Sequence, residues 1–258
     1  MTLRPKKHLG QNFLADRRIQ QKIVDSCDLR PDDVVVEIGP GQGVMTRSIA
    51  PRVKELVCIE TDKDLVPALN EEFKDSNVSV VHADFLKWDM AALHHAVKVI
   101  GNIPYYISTP IIEKLIEHRR QVSAAYLTVQ LEFGRRLAAG AGSKDYGSLS
   151  CFIQYYADVK VLFTIKNSAF KPAPKVDSCF VRLDFSRPPA YHPKDEQLLF
   201  RLVRTAFTQR RKTLVNAVST VADKERLGPI LADLGISAKA RPEELNLDNF
   251  VDISDRLV

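Results

Sequence analysis

"VVVEIGPGQGVMTRSIA", Val34 to Ala50, decides how the rest of the chain is read. A β-branched apolar run leads into three glycines within five residues, and then into a segment with helical spacing. That order predicts a strand, a tight loop and a helix. Gly39, Gly41 and Gly43 let the backbone turn sharply and come close to a ligand. A glycine loop alone serves dinucleotides, methyl donors and plain turns, so its neighbours must choose between them.

Outward from this stretch the alternation continues. "ELVCIE" (55–60), "VSVVHAD" (78–84), "VKVIGN" (97–102) and "AAYLTVQ" (124–130) are short and β-branched, like "VVVEIG" (34–39). Helical spacing occupies 44–52, 62–74 and 110–120. Near-continuous apolar strands separated by helices predict a doubly wound α/β sheet, mostly parallel and covered on both faces. "VKVLFTI" (159–165) and "SCFVRLDF" (178–185) are joined without a helix and predict an antiparallel pair at one edge. After the proline-rich "SRPPAYHP" (186–193) the pattern is helical to the end. The expected domains are therefore a catalytic domain over 1–185, a linker over 186–195 and a small all-helical domain over 196–258.

Ligands of an open parallel sheet bind beyond the carboxyl ends of its strands. The second strand ends in Glu60, where a carboxylate accepts two hydrogen bonds from a ribose diol. The third ends "HADFL": Asp84 can accept from an adenine amine and Phe85 can cover the ring. The loop lacks the full G-x-G-x-x-G of a dinucleotide site, because Gly43 is followed by Val44 and Met45. The choice tilts toward S-adenosylmethionine.

The fourth strand runs into "NIPYY" (102–106). An exocyclic adenine amine is a poor nucleophile because its lone pair is delocalised into the ring. The side-chain oxygen of Asn102 and the backbone carbonyl of Ile103 could accept its two hydrogens, while Pro104 fixes the turn and Tyr105 stacks on the base. A carboxamide is no base at neutral pH, so Asn102 would act by orientation and electrostatics. Phe170, in "NSAFKP", could close over the other face of the base. Such a pocket takes a base only when it is flipped out or single-stranded.

Composition sets the outer bounds. The 258 residues are 45% hydrophobic and 27% charged, an ordinary globular balance without a long apolar run. "MTLRPKKHLGQNFL" has no apolar core of a secretory signal. Cys27, Cys58, Cys151 and Cys179 form no C-x-x-C pair, which speaks against a common zinc site and for reduced thiols in the cytoplasm. No metal or membrane association is expected, and the chain reads as a monomer. The net charge of +5 is concentrated in residues 1–30 and in the acid-free "RLVRTAFTQRRK" (201–212), and suggests a polyanionic partner.

At these residues the chain resembles the rRNA adenine N6,N6-dimethyltransferases, over nearly its whole length. "KKHLGQNFL" (6–14), "EIGPGQG" (37–43) and "NIPYYIST" (102–109) look like the family's N-terminal, cofactor-loop and catalytic motifs. "FKPAPKVDS" (170–178) and "AFTQRRKTL" (206–214) look like its small-subunit (16S) rRNA branch. The resemblance implies a Rossmann-like, seven-stranded class I methyltransferase fold with S-adenosylmethionine as cofactor. It implies that Asn12, Leu14, Gly39, Glu60 and Asp84 hold the cofactor, that Asn102 bridges cofactor and target, and that Tyr105 and Phe170 sandwich the base. The implied substrate is a pair of adjacent adenosines in the hairpin near the 3′ end of small-subunit rRNA, each dimethylated while the 30S subunit is immature. Tyr106 stands where the family more often has Asn or another polar residue.

On a helix through 198–216, Arg201, Arg204, Thr208 and Arg211 share one face, and Leu199, Val203, Ala206 and Phe207 another. With Lys212, these arginines are expected to contact RNA phosphates, with Arg119, Arg120, Arg135 and Arg136 extending the surface. Two other readings stay open on sequence: a non-catalytic RNA-binding assembly factor, and a methyltransferase acting on other RNA, DNA or a small molecule.

Overall fold

A computed structural model describes Lys6 and residues 10–93, 95–186 and 191–258. The chain begins with β1 (Phe13–Leu14), α1 (Arg17–Asp25), β2 (Val34–Ile38), α2 (Thr46–Ile49), β3 (Glu55–Glu60), α3 (Val66–Phe73), β4 (Val78–His82) and β5 (Val97–Asn102). It continues through α4 (Ser108–Glu117), β6 (Val122–Gln130), α5 (Leu131–Leu137), α6 (Ser148–Tyr156), β7 (Asp158–Ile165), β8 (Phe170–Lys171) and β9 (Ser178–Asp184). Helices α7 (Glu196–Thr208), α8 (Leu214–Ala217), α9 (Lys224–Asp233) and α10 (Leu247–Leu257) complete it.

Seven strands form one sheet in the order β4-β3-β2-β5-β6-β9-β7. The first five are mutually parallel, and β9 is antiparallel to both β6 and β7. This is the mostly parallel α/β sheet with an antiparallel edge that the apolar runs predict. Strand β2 is buried from Val35 to Ile38, and β6 buries all but Ser123 and Gln130 of its nine residues. Only strands covered on both faces have so few polar positions. Edge strand β7 instead exposes Asp158, Lys160, Val161 and Thr164. The chain winds out from β2 through β3 to β4, and β5 returns to the other side of β2. That reversal opens a crevice at the carboxyl ends of β2 and β5.

The chain divides into two compact units. The first comprises residues 1–134 and 158–186 and holds the whole sheet. There Asp16 caps α1, accepting from the Arg18 and Ile19 amides at 2.8 and 3.2 Å. The helix drives Ile23 and Val24 into the core, and β1 pairs with β8, setting Leu14 opposite Phe170. The second unit comprises residues 135–157 and 187–258. Residues 135–157, expected with the catalytic domain, thus belong to the helical unit. The cause is aromatic: Phe152, Tyr155 and Tyr156 of α6 set their rings 5.2, 5.1 and 5.9 Å from Phe200 of α7. The Tyr156 hydroxyl also donates to Glu196 at 2.6 Å. Local periodicity does not reveal a partner more than forty positions away. Of the expected linker, residues 187–190 lie outside the described residues.

The four cysteines are buried, and none is in a disulfide. Among the described residues no helix is long and apolar enough to cross a membrane.

Candidate functional site

Strand register assembles the site. Ile38 of β2 stands beside Ile59 of β3 on one side and Gly101 of β5 on the other. The next residue of each strand, Gly39, Glu60 and Asn102, therefore emerges at one edge in a row. Gly39, Gly41, Glu60, Asp84, Asn102, Ile103 and Tyr105 all line one cavity there, and Asn12 enters it from the N-terminal segment.

The glycine loop is glycine for a backbone reason. Gly39, Gly41 and Gly43 have φ of +65°, +59° and +71°, a region that L side chains avoid. A Cβ on Gly39 would meet no atom within 4 Å, so this residue faces open cavity. Gly39→Ala is expected to cost about 1–2 kcal/mol of stability from its φ alone, read as a lowered urea midpoint, and also to narrow the cavity. Gly43 differs, because a Cβ there would stand 3.1 and 3.2 Å from Leu69 and Phe73 of α3. Gly43, expected to contact the cofactor, is off the lining of this cavity and packs close to α3.

Glu60 is 5% exposed. Its two oxygens accept from the amides of Gly41 (3.0 Å) and Asp62 (2.7 Å), which fix the carboxylate and leave a lone pair on each for a diol. Burial raises its pKa above the usual carboxylate range, against these two amide bonds, which lower it. Asp84 accepts from the Leu86 amide at 2.9 Å through one oxygen. Phe85, expected to cover the adenine, is instead 4% exposed and packs near Trp88, and Leu86 takes its place on the wall. After a strand end, a shift of one residue exchanges inside and outside.

Asn102 donates from Nδ2 to the backbone carbonyl of Asn12 at 2.9 Å. That bond fixes the carboxamide and leaves Oδ1 as a free-standing acceptor. Ile103 is 2% exposed, and its neighbour Pro104 starts a short 3₁₀ turn over Tyr105–Ile107. The Tyr105 hydroxyl lies 2.6 Å from Ser178 Oγ, pinning a half-buried ring at the mouth. Tyr106 is 65% exposed and packs against Gly10, where an added Cβ would come 3.0 Å from its ring. It is the outer wall of the cavity.

Two expected site residues lie elsewhere. Phe170 is 2% exposed and sits in the core cluster with Leu14, Ile165 and Phe180, off the cavity wall. Leu14, 7% exposed, belongs to the same cluster. Their two-residue strands pair with each other, so both side chains are held by the core.

A network that no motif reading anticipated holds the N-terminal segment to the sheet. Lys6 Nζ reaches Asp62 at 2.5 Å and Asp64 at 2.6 Å, and Gln11 Nε2 donates to Asp62 at 3.0 Å. Gln11 and Phe13 line the cavity as a result. The signal was the pair of acids two and four residues after Glu60, opposite a basic N-terminus. Lys7, His8 and Leu9 lie outside the described residues. Below the loop, Glu37 is fully buried, and burial pushes its pKa up to about 7. It accepts from Thr46 of α2 at 2.7 Å.

In the helical unit Arg201 and Arg204 are exposed on α7, while Leu199, Val203 and Ala206 are buried. Helix α7 ends at Thr208, short of the expected 216. Gln209 leaves helical geometry, and the Leu214 amide donates to the Ala240 carbonyl instead. Arg211 and Lys212 are exposed beyond the helix end, off its arginine face. Arg120, Arg135 and Arg136 are exposed, whereas Arg119 turns back to the Ile116 carbonyl at 3.1 Å.

These residues fit S-adenosylmethionine: open space at Gly39, a fixed buried carboxylate at Glu60 and a free oxygen on Asp84 suit an adenosine. The model of the ribosomal RNA adenine dimethylase family matches residues 2–258. The ribosomal RNA small subunit methyltransferase A of Clostridium acetobutylicum is 40% identical, covering 97% of this chain and 93% of its own length. That of Bacillus mycoides is 41% identical, covering 98% and 91%. Among solved structures, the 23S rRNA methyltransferase ErmE superposes with a TM-score of 0.79 at 28% identity, over 95% of this chain and 99% of its own. A dimethyladenosine transferase from Plasmodium falciparum does so with 0.79 at 25% identity, over 93% and 95%.

Proposed function

Because this chain belongs to the ribosomal RNA adenine dimethylase family, we propose that it dimethylates N6 of two adjacent adenosines in the 3′-terminal hairpin of small-subunit rRNA, using S-adenosylmethionine. One observation carries the reading: a single cavity is lined both by Gly39, Glu60 and Asp84 and by Asn102, Ile103 and Tyr105. Identity of 40–41% to two small-subunit enzymes, against 28% to a 23S enzyme, supports the choice of rRNA.

When bound, S-adenosylmethionine supplies a methyl group on a sulfonium, and the neutral thioether is the leaving group. The residues do the rest. Glu60 receives a ribose diol and Asp84 an adenine amine. Tyr105 carries the target base on a ring held by Ser178. Asn102 Oδ1 and the Ile103 carbonyl accept the two N6 hydrogens, so the nitrogen lone pair leaves conjugation and points at the methyl carbon. Transfer would form the N–C bond at the expense of the donor's C–S bond, and the proton lost from N6 would pass to solvent. After the first transfer one N6 hydrogen remains, and one acceptor suffices to aim the second. Rigid placement of the amide, through its bond to Asn12, supplies the orientation. Exposed Arg201 and Arg204 on α7, with Arg211 and Lys212 beyond it, are proposed to meet rRNA phosphates.

Glu60→Gln is expected to weaken binding of S-adenosylhomocysteine about 10- to 150-fold, since a hydrogen bond to a charged group is worth about 1.5–3 kcal/mol; calorimetry reads it. The pH dependence has a definite sign. Because the Glu60 pKa is raised, the carboxylate takes up its proton at a higher pH than an exposed glutamate does. Affinity should fall as pH drops through that raised value, and the glutamine variant should lose this dependence. The function itself is tested by labelled methyl transfer to 30S particles that lack the modification, with mature particles, free rRNA and DNA as controls. Equal labelling of DNA, or none of the unmodified particles, would refute it.

A further inference from the structure

Beside the catalytic cavity, and sharing Gln11 and Phe13 with it, lies a larger groove of about 1000 Å³. That is the upper limit of small-molecule sites, room for a length of chain rather than one small group. It runs between the start of α1, the glycine loop with α2, and the end of β8. Three cations line it, Arg17, Arg47 and Lys171, and no carboxylate does. Arg47 is held by both oxygens of Glu72. Arg17 and Lys171 are exposed, and among the described residues neither meets an acid. Phe13, Val44 and Pro172 give the groove apolar surface, and Gln11, Gln21, Gln42 and Ser48 add uncharged polar groups. Phe13 forms the partition from the cavity: its ring packs on Gly41, where an added Cβ would come within 3.0 Å.

Unpaired cations flanking apolar and aromatic faces are what a single nucleic-acid strand needs, phosphates to the cations and bases to the flat faces. We propose that this groove receives the ribose-phosphate strand adjoining the target adenosine. Arg17 and Lys171 each meet a phosphate, and Phe13 and Pro172 offer a surface to a neighbouring base. The groove shares Gln11 and Phe13 with the catalytic cavity, so a base flipped from that strand lies next to the cavity with the Phe13 ring between. This assignment rests on the methyltransferase reading and names where the strand next to the reacting base lies.

The test uses the full chain with Arg17→Gln, Lys171→Gln and both together, titrated into a labelled RNA hairpin bearing two adjacent adenosines in its loop. Lys54→Gln is the control, an exposed lysine at the opposite, amino end of β3. Each phosphate contact on a single strand contributes about 0.7 to the slope of log affinity against log salt. Each single variant should therefore bind about fourfold more weakly at 0.15 M salt, and the double variant about fifteenfold, its slope reduced by about 1.4. S-adenosylhomocysteine affinity and thermal midpoint should match the unsubstituted protein, and Lys54→Gln should change nothing. An unchanged RNA affinity and slope in the double variant would overturn the groove, as would an equal loss in Lys54→Gln. If the unsubstituted chain binds this RNA through Arg17 and Lys171 yet transfers no methyl group to 30S particles, the enzymatic reading fails and the groove stands.

Discussion

Asn102→Ala is expected to lower kcat for methyl transfer about 10²–10³-fold while leaving rRNA affinity within about twofold. The size follows from what is lost. A preorganised dipole that meets the changing charge at the reacting nitrogen costs no reorganisation when the reaction occurs, and removing one such group typically has this effect. RNA affinity is set by phosphate contacts, and the Asn102 side chain makes none in the proposed arrangement. A purely RNA-docking role in ribosome assembly predicts no change in either measurement, so single-turnover transfer and RNA titration together decide between the readings. Asn102→Asp sharpens the result. It retains an acceptor oxygen but loses the Nδ2 donor and sets a negative charge against the Asn12 carbonyl. If placement of the amide matters, this variant should be nearly as impaired as alanine; if any acceptor suffices, it should keep most of the activity.

Much of this site was legible in the sequence because strand ends are. An apolar β-branched run that stops at a polar residue reveals both the strand and the residue standing at its mouth. Parallel register then brings the mouths together, as Ile38 beside Ile59 and Gly101 brings Gly39, Glu60 and Asn102 together. The failures lie one or two residues further along, where the period is gone. Phe85 was expected on the wall, but Leu86 is there and Phe85 is inside. Gly43 shares the positive φ of Gly39 yet packs on α3, a difference set by a helix more than twenty residues away. The same limit applies to α6 and α7. The apolar face of α7 was visible, but not that Phe152 and Tyr156 of α6 would pack on Phe200. Nor was the end of α7 visible, where Gln209 leaves helical geometry and Leu214 goes on to bond with distant Ala240. The bonds of Lys6 and Gln11 to Asp62 likewise cross more than fifty positions, and only the two acids after Glu60 opposite a basic N-terminus hint at them.

Phe170→Ala is expected to destabilise the first unit by about 3–5 kcal/mol, the range for a buried Phe cut back to Ala. Chemical denaturation followed by tryptophan fluorescence reads it, since Trp88 is the one tryptophan. The ring is 2% exposed, so its removal leaves a cavity lined by Leu14 and the neighbouring core. The damage should reach the active site along a traceable path. The Phe170 strand pairs with β1, and the Ala169 carbonyl accepts from the Ala15 and Asp16 amides at 2.7 and 3.2 Å. Loosening these contacts frees the segment that carries Asn12, and with it the partner of Asn102. A ring that served instead by stacking on the target base would have to leave the core first. Its loss would then lower kcat or raise KM for rRNA with little change in the denaturation midpoint. Phe170→Leu separates the two roles, because leucine restores most of the apolar volume but has no flat face. On the packing account, leucine recovers the greater part of both stability and activity; on the stacking account, it recovers stability alone.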